Sequence, residues 1–96
     1  MASTTTLALS RSGDLVETLT AQSAPRTYVD TSFGGFYYQI QEPGTGAPDP
    51  EAWIPFPPPD FRVSVIPETG EFLGELFLKA DRDGAKLVVL TGEAPL

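Results

Sequence analysis

A chain of 96 residues with net charge −7, no histidine and no cysteine is one small domain, hiding only about two-thirds of the surface its unfolded form exposes and doing so without disulfides or thiolate-held metal. The missing histidine removes the commonest general base and transition-metal ligand, and the sequence also lacks asparagine, hence any N-glycosylation acceptor. Its six cations, Arg11, Arg26, Arg62, Lys79, Arg82 and Lys86, are scattered among 13 carboxylates, which argues against nucleic acid as a partner.

The opening "MASTTTLALS" alternates and is rich in Thr, which predicts a strand over Thr4 to Leu9. Residues 1–12 read as an N-terminal arm that closes a sheet edge or pairs with a neighbour, because the charges begin only at Arg11. The first basic residue follows the short apolar stretch, the reverse of a secretory signal. No apolar run approaches the ~20 residues that cross a bilayer, so we expect a soluble, unprocessed chain without a membrane partner.

Period-two alternation rich in Val, Thr, Tyr and Phe predicts further strands at Leu15 to Ala21, Thr27 to Thr31 and Phe36 to Gln41. Only "GDLVETLTAQ" could pass for a helical turn. Residues 42–60 form a Pro/Gly-rich middle: "QEPGTGAPDPEA" has no periodicity, and "WIPFPPPDF" follows at once. Prolines fix φ and favour an extended helix, so this second stretch reads as a stiff strut from which Trp53, Ile54 and Phe56 project.

The last strands are expected at Phe61 to Ile66, Glu71 to Ala80 and Ala85 to Thr91, with "PETG" and "DRDG" as hairpin turns between them. Pairing them in that register predicts a C-terminal three-stranded meander in which Arg62 faces Glu75, Asp81 faces Lys86 and Ala80 faces Leu87. One face then gathers Phe61, Val63, Val65, Phe72, Leu76, Leu78, Leu87 and Val89 for burial. The other face mixes charges with Ile66, Leu73, Phe77, Val88 and Leu90, placing Phe77 opposite Leu90. A solvated face should not carry that patch, which must be covered by the chain's first half or the proline tract, or by another subunit.

Several short motifs resolve into turns. "IPETG" resembles a sortase sorting signal of the LPxTG type, but no hydrophobic span and basic tail follow it. Asp81, Asp83 and Gly84 resemble the start of an EF-hand-type loop that lacks its later acidic ligands. Gly34-Gly35 and "PGTG" could suggest phosphate cradles, but neither leads into a helix with a lysine and a hydroxyl. "FPPPD" resembles the FPPPP ligand of EVH1 domains with Asp60 in place of the fourth proline, and Pro55 with Pro58 matches a PxxP spacing that has no basic residue beside it. Glu71 and Glu75 are a carboxylate pair in principle, but the register gives both cationic partners.

The sequence therefore predicts an all-β domain spanning 1–96, a small β-sandwich or open barrel. No catalytic, cofactor-binding or metal residue is assigned. The expected function is that of a non-enzymatic structural subunit of a larger assembly, concretely a virion or phage accessory protein (decoration, head or tail component). Its partners would be protein subunits, met through Trp53, Ile54, Phe56, Phe77 and Leu90. The alternative is a monomeric module that holds a carbohydrate or peptide on Tyr28, Tyr37, Tyr38 and Trp53.

Overall fold

The computed structural model describes residues 3–32, 34–66 and 73–92. Eight strands form two four-stranded sheets: β1 (Ser3–Leu9), β2 (Asp14–Leu19), β3 (Arg26–Val29), β4 (Phe36–Gln41), β5 (Ile54–Pro55), β6 (Arg62–Val65), β7 (Gly74–Ala80) and β8 (Ala85–Thr91). Each of the seven predicted strands is present, β4 and β8 with the predicted ends and the others with shifted ends, and β5 lies inside the proline tract. No helix is found among the described residues.

The sheets run β1-β8-β3-β6 (sheet A) and β2-β7-β4-β5 (sheet B), and every pairing is antiparallel. Strand pairs β1–β8, β2–β7, β3–β6 and β4–β5 are those of one long hairpin that doubles back after β4. Rolling that hairpin sends alternate pairs to alternate sheets, and the pairings β3–β8 and β4–β7 complete sheet A and sheet B respectively. This is the jelly-roll form of the β-sandwich.

Rolling corrects the expected meander. Strands β7 and β8 lie in different sheets, as do β6 and β7, so Ala80 does not face Leu87, nor Arg62 Glu75. The physical reason is that alternation identifies which side of a strand is buried without identifying its neighbour. The buried side itself is as expected: Val63, Val65, Leu76, Leu78, Leu87 and Val89 are all in the core, joined by Leu9, Leu19, Tyr28, Phe36, Phe56, Ala80 and Ala85. Phe61 is only half-buried. The expected "PETG" turn, Glu71 and Phe72 lie outside the described residues.

The four connections β1–β2, β3–β4, β5–β6 and β7–β8 meet at one end of the sandwich, where Ala80 N donates to Ser10 O, Gly84 N to Leu9 O, Asp81 N to Gly35 O and Asp30 N to Phe61 O. The long β4–β5 connection, residues 42–53, is the turnaround of the rolled hairpin. Between the sheets Arg26 forms an ion pair with Glu17.

Candidate functional site

Since the core takes one face of each sheet, function must lie on the outer faces, the edges or the loops. The two outer faces are treated differently. On sheet B the outward residues are Tyr37, Gln39 and Gln41 of β4 and Glu75, Phe77 and Lys79 of β7, by alternation with the core positions Phe36, Tyr38, Ile40, Leu76, Leu78 and Ala80. Residues 42–53 fold back over this face as a lid.

Three contacts hold the lid. The Gln39 amide reads the loop backbone at two points, Nε2 donating to Asp49 O at 2.9 Å and Oε1 accepting from Asp49 N at 2.7 Å, while Gln41 Nε2 donates to the same Oε1 at 2.8 Å. The buried Glu75 carboxylate accepts from Gly46 N at 2.8 Å and Gly44 N at 3.2 Å. Lys79 Nζ sits 4.9 Å from the Trp53 ring centre and 5.2 Å from that of Tyr37, within cation–π range of both. The "PGTG" stretch is thus an anion cradle whose anion is the chain's own Glu75. Gly34 N does the same for buried Asp30, whose carboxylate also accepts from Ser32 N and Ser32 Oγ.

Trp53 anchors the lid to the β1–β2 turn. A Cβ placed on Gly13 would lie 2.6 Å from Cζ2 of the indole, and Gly13 has φ +93°, so only glycine lets the ring lie there. Pro48 packs from the lid side of the same spot. Beneath the lid Phe77 is 1% exposed, although it points away from the core cluster.

The outer face of sheet A carries no lid of this kind among the described residues, although Thr27 in the middle of it is buried. Its rows read Thr4, Leu90, Thr27, Ser64 and Thr6, Val88, Val29, Arg62 across the sheet, with Ala8 beside Lys86 at the β1 end. Leu90 is 39% exposed, and Val88 and Val29 are half-buried. None of the 13 carboxylates of the chain lies on these rows; two of its six cations do.

The five residues predicted as one contact surface are dispersed. Phe56 belongs to the core, tilted against Phe36 with centroids 6.2 Å apart and edge-on to Tyr38 at 5.9 Å. Phe77 is sealed under the lid on sheet B, and Leu90 is open on sheet A, so they cannot face each other. Trp53 is half-buried as the lid anchor, and Ile54 is exposed on edge strand β5. Both phenylalanines are therefore corrected from contact surface to interior: rigid prolines bring Phe56 back over the open end of the core, and the lid removes Phe77 from water. The tract "WIPFPPPDF" begins as the short strand β5, plugs the core with Phe56 and closes in a turn where Phe61 N donates to Pro57 O.

Gln39, Glu75, Lys79 and Gly13 went unnoticed as a set. Their signal is polar residues at most outward positions of two strands, flanking the apolar Phe77, together with a loop rich in glycine and proline.

Among the described residues there is no pocket and no group of three acidic or histidine ligands spaced for a metal ion. Asp81 is paired with Arg82, and Asp83 accepts from Arg11 N, so the calcium-like turn is a structural corner. By class the chain is an eight-stranded jelly-roll sandwich with a lid over one of its two sheets. No family model, curated protein or solved structure matches it.

Proposed function

We propose that the protein is a non-enzymatic structural subunit of a larger protein assembly, concretely a virion or phage accessory component, acting through protein–protein contacts. The observation that carries this reading is the contrast between the outer faces. A twelve-residue lid, 42–53, seals sheet B, whereas on sheet A Leu90 is exposed and Val29 and Val88 are half-buried, on a face whose described rows carry no carboxylate. Apolar surface left exposed, free of carboxylates on its described rows, marks a contact site on an acidic domain.

Jelly rolls serve as capsid and as lectin domains, so fold alone does not choose between assembly and ligand binding. The aromatics favour assembly. Tyr28 is in the core, Tyr38 packs on Phe56, and Tyr37 and Trp53 both contact Lys79, so each of the four rings already has a partner within the chain. The two buried carboxylates, Asp30 and Glu75, are occupied by backbone and hydroxyl donors, which supports a role without acid–base chemistry.

Light scattering on the wild type and on Leu90→Asp and Ile54→Asp tests the reading. The wild type and Ile54→Asp should both exceed the 10.3 kDa of one chain, and Leu90→Asp should fall toward it. Equal masses for all three would overturn the role of sheet A.

A further inference from the structure

We propose that β1 pairs antiparallel with β1 of a second copy across a two-fold axis through Thr6, joining two A sheets into one of eight strands. The proposal rests on the assembly reading above and adds to the face of sheet A a second contact, along its edge, with a second copy as partner.

Four strands lie at sheet edges, β1 and β6 in sheet A and β2 and β5 in sheet B. Edges invite pairing with other chains unless charge, proline, a bulge or shortness blocks them. Three are blocked. β2 carries Asp14 and Glu17 and a register break between Leu15 and Glu17. β5 is two residues long, one of them Pro55. β6 is four residues long, begins at Arg62 and follows Pro57–Pro59. The fourth, β1, has seven residues, STTTLAL, without charge, proline, glycine or bulge, in unbroken register with β8 from Ser3↔Thr91 to Leu9↔Ala85. Ser3 to Thr6 and Ala8 are exposed.

The occupant follows from charge and symmetry. Two copies at −7 each repel, except where carboxylates are missing, and β1 together with the outward row Lys86, Val88 and Leu90 of its neighbour is such a region. A two-fold axis at Thr6 pairs Ser3 with Leu9, Thr4 with Ala8 and Thr5 with Leu7 of the second copy. Opposed residues share a face, so Leu7 and Leu9 stay on the core side and Thr4, Thr6 and Ala8 on the outer side in both copies. No register centred between residues preserves that match.

The test uses the absence of native cysteine. Residues opposite each other across antiparallel strands have Cα atoms roughly 4.5–5.5 Å apart, which a disulfide spans. Thr6→Cys should oxidise to a disulfide-linked dimer, whereas the two Cys residues of Thr4→Cys would lie roughly 13 Å apart along the strands and should not link. Thr6→Lys, which sets two like charges opposite each other, should raise the dimer dissociation constant severalfold while leaving the circular dichroism spectrum unchanged. If the wild type assembles but Thr6→Cys fails to link, or Thr4→Cys links equally, the β1 proposal is overturned and the assembly reading stands. A wild type that remains at 10.3 kDa overturns both.

Discussion

Gln39 and Asp49 exchange two hydrogen bonds, side-chain amide against backbone amide, so that the turnaround loop is docked on sheet B as though it were another strand. Replacing Gln39 by Ala removes both and leaves the Asp49 N–H and C=O without these partners. A loss of about 1–3 kcal/mol is expected, at roughly 0.5–1.5 kcal/mol per bond. Urea unfolding measures it. Trp53 is the sole tryptophan, so its emission should shift to the red as the lid loosens.

The Trp53 contact on Gly13 makes a second prediction. Gly13→Ala meets both the indole and the left-handed backbone, whereas Gly44→Ala, at φ +91° with nothing within 4 Å of the added methyl, meets only the backbone. Backbone strain of this kind costs roughly 1–3 kcal/mol. Gly13→Ala should therefore lower the unfolding midpoint more than Gly44→Ala, and only Gly13→Ala should move the Trp53 emission. Equal midpoints with no spectral change would contradict the packing.

Glu75→Gln keeps the shape of the cradle but turns a charge-assisted pair of bonds into one neutral bond and one donor facing a donor. Hydrogen bonds to charged groups contribute about 1.5–3 kcal/mol, and a loss in that range is expected in denaturant unfolding. Arg62→Gln should not share it, since Arg62 lies on the other sheet and is exposed.

Burial pushes the Tyr28 hydroxyl up from 10.0 to about 12, with Arg26 pulling weakly the other way. The unfolded chain releases this proton near pH 10 and the folded chain near 12, so between those values the folded form holds more protons. Stability is then intact below pH 10 and falls as pH rises, by up to about 1.4 kcal/mol per pH unit. Thermal melts across this range should show that decline, and Tyr28→Phe should remove it.

How far the sequence reveals this molecule depends on which physical signal is local. Alternation is local, so the strands at 3–9, 36–41 and 85–91 and the inward set from Val63 to Val89 are readable from it. Pairing partners are not local. "DRDG" has the composition of a hairpin turn, yet residues 81–84 carry the chain from sheet B to sheet A, tied to the β1–β2 and β3–β4 loops by Gly84 N and Asp81 N. Alternation gives Phe77 and Leu90 the same outward parity, and only topology shows that one is roofed by the lid and the other bare. The lid itself is a long-range event, in which Gln39 and Glu75 meet Asp49, Gly44 and Gly46, and composition marks only that the loop is rich in glycine and proline.

The most direct measurement of assembly through sheet A is the native mass of the wild-type chain by light scattering over a dilution series. Self-association through β1 and the face of sheet A predicts at least twice the 10.3 kDa chain mass at high concentration, falling toward one chain on dilution, with Trp53 emission unchanged because the lid is intramolecular. A mass of 10.3 kDa at every concentration, or Trp53 emission that follows the dilution, would contradict it.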